Sequence, residues 1–171
     1  NWEKSIKKSL EGKITIVPIN ENPIDLFWKE RPGANEDVAL LLDEKYTGKP
    51  SFEKRKELGV QISNNNCDAA FITQLDSIAW LLNIRGSDVP CNPVLLCHGL
   101  LHSDGAVDLF IKKNKIPDGF YDHVGNNVVV ISPENMKDRL TECVGKIIQF
   151  DSMQSNAWSK NLLIASGFEI V

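Results

Sequence analysis

Between Asp68 and Val171 the chain alternates strand-type runs with capped helices, and only one tight hairpin interrupts the alternation. That order constrains the fold more than any other feature. Asp68–Thr73 reads as a buried strand and Leu75–Leu82 as a helix; Val94–Leu101 and Val107–Ile111 are strands joined by the turn Ser103-Asp104-Gly105. Val128–Ile131 is a strand, and Ser132-Pro133 opens a helix faced by Met136, Leu140 and Val144 and stopped at Gly145. Lys146–Phe150, a helix over Ser155–Ser166 with Trp158, Leu162 and Ala165 on one side, and a strand over Phe168–Val171 complete the series. Strand–helix–strand units with one hairpin predict an α/β domain with a mixed β-sheet flanked by helices.

The first third is less regular. Trp2, Ile6 and Leu10 share a helix face that Gly12 ends, and Ile14–Val17 reads as a strand ended by Pro18. Asn22-Pro23 caps a helix running to about Lys29. Ser51 is placed to cap a helix over Phe52–Ser63 whose apolar face is thin (Phe52, Leu58, Ile62) and whose Gly59 costs about 1 kcal/mol relative to Ala. Lys54-Arg55-Lys56 reads as a solvated face of that helix. Lys112–Asn126 reads as polar loop, with Asp122 and His123 solvated.

Charge and composition exclude several functions. A formal charge of -4 and a pI near 5.4 argue against a general nucleic-acid binder, which needs a basic stripe to neutralise phosphates. No apolar run has the length of a membrane span, and no secretory leader opens the chain. The four cysteines form no Cys-x-x-Cys pair and read as reduced, mostly buried thiols of a cytoplasmic protein.

Chemistry is hard to find. His98 and His102 lie on one strand face about 13 Å apart, too far to share an ion unaided; a hydrolase with a metal at Cys97, His98 and His102 is the weakest of three functional readings. No nucleophile elbow, phosphate loop, dinucleotide fingerprint or paired carboxylates announce themselves. The densest stretch is Thr73–Val94. Its Asp76 is the natural N-cap, Leu75 and Trp80 fit a hydrophobic staple, and Gly86 suits a left-handed helix stop. Arg85 and Asp88 then bracket the turn, either bracing it through a mutual contact, with Arg85 on helix-end carbonyls, or forming a charged lip on a cleft.

Leu75-Asp76-Ser77-Ile78-Ala79-Trp80-Leu81-Leu82-Asn83-Ile84-Arg85-Gly86-Ser87-Asp88, followed by Asn92-Pro93-Val94, resembles the signature of the three-domain Xaa-Pro aminopeptidases. Asn22–Pro32, with Asp25, Trp28, Arg31 and Pro32, and Tyr46-Thr47-Gly48 before Ser51 agree with that family's pattern. The resemblance implies a creatinase-like second domain of ribonuclease H-like topology over 37–171, with 1–36 as the end of a first domain and its connection. It implies a catalytic metallopeptidase domain of pita-bread fold lying after this segment. That domain would hold two divalent metal ions, usually manganese, through Asp, Asp, His, Glu and Glu. None of its ligand motifs occurs here, so no cofactor, metal ligand or catalytic residue is assigned to this chain. A start inside a helix without Met and an end on a strand carry the expectation of a piece of a longer protein.

The expected function is therefore a non-catalytic module. Its partners would be its own metallopeptidase domain, a peptide with proline second and a second copy in a homodimer, with neither nucleic acid nor membrane among them. Arg85, Ser87 and Asp88 are its expected cleft-edge or interdomain residues. The alternative is a free-standing α/β domain that binds a small ligand or a protein.

Overall fold

The computed structural model describes residues 2–10, 14–17, 19, 21–33, 35–143 and 146–171. The expected stops at Gly12, Pro18 and Gly145, and Val144 on its helix face, lie outside these residues. The chain divides into two compact units, Asn1–Asn35 and Glu36–Val171.

The first unit holds α1 (Trp2–Ser9) and α2 (Pro23–Phe27). Asn22 caps α2 as expected, its side-chain oxygen accepting from Ile24 N at 3.0 Å. The helix stops two residues early, at Phe27. Ile14–Val17 forms no strand, and Ile14 and Val17 stay 64% and 71% exposed. A β-branched run becomes a strand only where a neighbour accepts its backbone bonds and a surface receives its side chains.

The second unit opens with β1 (Leu40–Leu41), α3 (Glu44–Thr47) and α4 (Ser51–Asn64), then β2 (Ala69–Ile72), α5 (Leu75–Leu82) and β3 (Ile84–Arg85). β4 (His98–His102), β5 (Val107–Phe110), α6 (Phe120–Val124), β6 (Val128–Ile131), α7 (Met136–Thr141), β7 (Ile147–Phe150), α8 (Ala157–Ala165) and β8 (Glu169–Ile170) follow. Six strands make one sheet in the order β6-β5-β4-β2-β7-β8. Its pairs are parallel except β2/β4 and β4/β5, the latter closed by the expected Ser103-Asp104-Gly105 turn. β1 and β3 form a separate antiparallel ribbon, with Leu40 opposite Arg85.

Strand alternation sorts the core into two layers. Ala70, Ile72, Leu101, Val107, Leu109 and Val128 face a cluster built with Ile62 of α4, Ile78, Leu81 and Leu82 of α5, and Phe120 and Val124 of α6. Ala69, Phe71, Leu100, Phe110, Ile148 and Phe150 face the other side, against Met136 and Leu140 of α7 and Leu163 of α8. Helices thus cover both faces of a mixed sheet, as the sequence order predicts.

Several local expectations fail for physical reasons. α4 turns Ser51, Lys54, Arg55, Gly59 and Ile62 inward, so Lys54 and Arg55 are not solvated: they are 2% and 3% exposed. Ser51 lies inside the helix and not at its cap; its Oγ accepts from Arg55 Nε at 3.3 Å. Asp76 likewise sits within α5, behind Gln74 at the cap position. In α8 the inward residues are Ser159 and Leu163, while Trp158 is 57% exposed. The stretch Lys112–Asn126 is not all loop, because α6 carries Phe120 and Val124 into the core.

Candidate functional site

The site is built where α5 hands over to the β1/β3 ribbon. Asn83, not Gly86, ends α5 in the left-handed conformation, with φ 55° and ψ 41°. Asparagine tolerates that region because its short polar side chain bonds locally. Here it bonds widely: Asn83 Oδ1 accepts from Lys54 Nζ at 2.6 Å and Asn83 Nδ2 donates to Lys49 O at 2.9 Å. Its carbonyl accepts from Leu42 N at 2.9 Å and lies 3.0 Å from His123 Nε2, so His123 is engaged and not solvated. Lys54 Nζ also donates to Trp80 O at 2.9 Å and sits 4.5 Å from the Trp80 ring centroid. Burial, then the charges of Arg85 and Lys49, push the Lys54 pKa below the ordinary lysine value.

Gly86 serves a different purpose from a helix stop. A Cβ there would lie 2.3 Å from Leu95 Cδ2, so glycine lets the returning Leu95 lie against the backbone. The segment doubles back on itself: Asn92 N donates to Val89 O at 3.1 Å, with Cys91 at φ 61° in the tight bend. Asp88 N then donates to Val94 O at 3.2 Å, which places Asn92-Pro93-Val94 beside Arg85-Gly86-Ser87-Asp88.

Arg85 and Asp88 do not pair. Arg85 Nη1 donates to Ala79 O at 2.9 Å and Ile84 O at 2.8 Å, holding helix-end carbonyls as expected. Its Nε and Nη2 make no hydrogen bond among the described residues, so the guanidinium keeps donors of the kind that a carboxylate accepts. The Asp88 carboxylate turns inward, accepting from Leu96 N at 2.7 Å and from the Lys115 ammonium. Both side chains of that ion pair are almost wholly buried, at 0% and 4% exposed. Ser87 Oγ donates to Asp37 Oδ2 at 2.6 Å, on the segment leading into β1. The three expected residues therefore share one loop but take three roles: Asp88 staples, Arg85 braces and presents, Ser87 ties to Asp37.

Lys115 escaped the sequence reading because 27 positions separate it from Asp88 and its own neighbourhood is polar. No local signal could have found it. Lys54 carried a faint one: Ser51, Lys54, Arg55, Leu58, Gly59 and Ile62 recur at helical spacing, but their polarity masks an inward stripe.

The residues of the metal reading are engaged separately. His98 stacks on Phe71 with ring centroids 5.8 Å apart and meets the tilted Trp158 ring at 6.1 Å, and burial lowers its pKa. His102 Nε2 lies 3.2 Å from Asp108 Oδ2, and Arg139 grips the same carboxylate through Nε and Nη2 at 3.0 and 3.1 Å. Cys97 is buried; desolvation, then the nearby Asp88 charge, pushes its thiol up to about 12 against the lowering effect of Lys115. Among the described residues no three His, Cys, Asp or Glu side chains cluster as metal ligands, and Cys97, His98 and His102 do not converge on a common ion. Among the described residues, too, no helix is long and apolar enough to cross a membrane.

Known proteins resemble this chain throughout its second unit. The family model of the creatinase/prolidase N-terminal domain matches residues 30–170. A probable Xaa-Pro aminopeptidase P of Coprinopsis cinerea is 34% identical over 139 residues, 80% of this chain and 22% of that protein. One from Colletotrichum graminicola is 35% identical over 136 residues, 75% of this chain and 22% of that protein. The chain thus spans about a fifth of the length of these curated relatives. The crystal structure of X-prolyl aminopeptidase from Caenorhabditis elegans, described as a cytosolic enzyme with a di-nuclear active site, superposes with TM-score 0.75 at 28% identity. That match covers 83% of this chain and 23% of the worm enzyme. An isolated creatinase/prolidase-like N-terminal domain of a Corynebacterium diphtheriae metallopeptidase shares the fold, with TM-score 0.52 at 17% identity over 71% of this chain and 94% of that one. On the family match across residues 30–170, the chain belongs to the creatinase/prolidase N-terminal domain family.

Proposed function

We propose that this chain is the non-catalytic N-terminal module of a cytoplasmic Xaa-Pro aminopeptidase, with residues 37–171 as the creatinase-like domain and 1–36 as the end of a preceding one. The observation that carries the reading is the match of 83% of this chain to 23% of the C. elegans X-prolyl aminopeptidase. In this reading the module packs on a metallopeptidase domain that supplies two divalent ions, of which manganese is the expected metal. It narrows the path of a peptide with proline second, and it contributes to a homodimer.

The loop Arg85–Val94 is the edge turned to the cleft. Asp88 and Lys115 lock its base, which leaves the spare donors of Arg85 at a fixed place where a peptide carboxylate or an acidic residue of the metallopeptidase domain can meet them.

The test compares two proteins. The 171-residue chain with added Mn2+ should release nothing from an Xaa-Pro peptide, whereas the polypeptide extended through a metallopeptidase domain should release the first residue. In the extended protein, Arg85→Lys should raise KM severalfold with kcat little changed. Turnover by the short chain, or its absence from the metal-loaded extended protein, would refute the reading.

A further inference from the structure

The helices on the α4 side do not cover the whole sheet. They sit over β2, β4, β5 and β6 and leave part of β7 bare: Gln149, which points to that side, is exposed while Ile148 and Phe150 beside it are buried. A crevice of about 270 Å3 opens there, floored by Leu58, Ile62, Ala70, Ile72 and Leu101. It lies at a special place in the topology. β2 and β7 are adjacent and parallel, but the chain leaves β2 for α5 on one face and leaves β7 for α8 on the other. Where successive connections depart to opposite faces, their loops splay and open a hollow at the carboxyl ends of the strands, the usual ligand position in open α/β sheets. The loops concerned, Thr73-Gln74 after β2 and Asp151–Ser155 after β7, form the rim.

The rim is built and not merely exposed. Thr73 Oγ1 and Ser155 Oγ are hydrogen bonded at 2.8 Å, and Gln74 Nε2 donates to Gln154 O at 3.2 Å, tying the two loops across the gap. Asp151 Oδ1 accepts from Met153 N at 2.9 Å and Gln154 N at 3.1 Å, which fixes the carboxylate. Its Oδ2 makes no hydrogen bond among the described residues. Among the described residues that line the crevice, Asp151 is the single ionisable group. A second hollow, of about 310 Å3, shares Leu58 and Ile72 and adds another carboxylate, Asp76. An apolar floor with negative charge and no lysine, arginine or histidine at the rim disfavours anions and suits a cation with a greasy body.

We infer that the β2/β7 crevice is a binding site for a small amine with an apolar, aliphatic or aromatic body, its ammonium on Asp151 and its body on Leu58, Ile62 and Ile72. The volume, about 270 Å3, lies just below the usual range of ligand sites, about 300–1,000 Å3, and so admits only a compact molecule. The inference stands apart from the aminopeptidase reading and survives its failure.

The test is an NMR titration of the 15N-labelled 171-residue chain with 2-phenylethylamine, 2-phenylethanol and 3-phenylpropanoate in turn. The amine should give saturable shifts confined to amides of residues 72–74 and 149–155, the alcohol should bind about tenfold more weakly, and the carboxylate more weakly still. Asp151→Asn keeps the Oδ1 acceptor and should erase the preference for amine over alcohol. Ala70→Leu fills the floor and should abolish binding of both, with an unchanged melting profile marking a folded variant. Should Ala70→Leu not fold, Asp151→Asn decides alone, since that side chain is on the surface. No saturable shift in these amides, equal affinity for amine and carboxylate, or an unaltered preference in Asp151→Asn would overturn the inference.

Discussion

Gly59 sets two effects of opposite sign against each other, and the structure decides between them. In an exposed helix, Gly→Ala stabilises by about 1 kcal/mol through reduced backbone freedom. Gly59 is not exposed. A Cβ at that position would lie 2.7 Å from Ser103 O and 2.9 Å from Gly105 N, both backbone atoms of the β4/β5 turn. Ordinary contact begins at 3.4 Å, so α4 and the turn would have to part by about 0.7 Å. Neither side yields easily. The turn is closed by Gly105 N donating to His102 O at 2.9 Å, and α4 is tied to it by Arg55 Nη1 donating to Gly105 O at 2.7 Å. Inserting a methyl into such packing costs about 2–3 kcal/mol. Against the gain of about 1 kcal/mol, Gly59→Ala should destabilise by about 1–2 kcal/mol. Urea unfolding followed by circular dichroism should show a lower midpoint with an unchanged slope, and hydrogen exchange at the Gly105 amide should accelerate. A variant more stable than the parent by about 1 kcal/mol would show that the close approach does not exist and that helix propensity rules the site.

Other consequences follow from the buried charges. Arg55 also donates to Val124 O at 2.8 Å and Asn126 O at 3.1 Å; Arg55→Met strands these carbonyls and should cost about 3–5 kcal/mol in the same unfolding assay, while Lys56→Met on the exposed face should stay within about 0.5 kcal/mol. Burial alone would raise the Asp108 pKa, but hydrogen bonds from His102 and Arg139 and their charges outweigh it and hold the carboxyl below its ordinary value of 3.8. The folded state therefore binds this proton more weakly than the unfolded chain, so Asp108 adds stability that is complete well above pH 3.8 and fades as pH falls through and below it. Stability measured from pH 5 to 2 should fall less steeply in Asp108→Asn than in the parent, and parallel curves would refute the assignment. Of the four cysteines, only Cys91 is exposed; a thiol reagent at pH 8 should label one site quickly in the native chain and all four after denaturation, with Cys97 among the slowest because burial holds its thiol near 12.

Whatever rests on near neighbours in the chain was legible from the residues alone. The Asn22-Pro23 cap, the bounds of α5, the Ser103-Asp104-Gly105 turn and most strands of the main sheet were readable because capping, turn chemistry and hydrophobic alternation act over a few residues. The stretch Leu75–Val94 also carried its family resemblance in full view. Tertiary structure decided what depends on distant groups. It moved Asp88 from Arg85 to Lys115 and gave the helix stop to Asn83, leaving Gly86 to admit Leu95. It turned Lys54 and Arg55 inward, where carbonyls from other elements await them. A buried cation is stable only where several acceptors converge, and that convergence is made by the fold, so no window of sequence around α4 could reveal it.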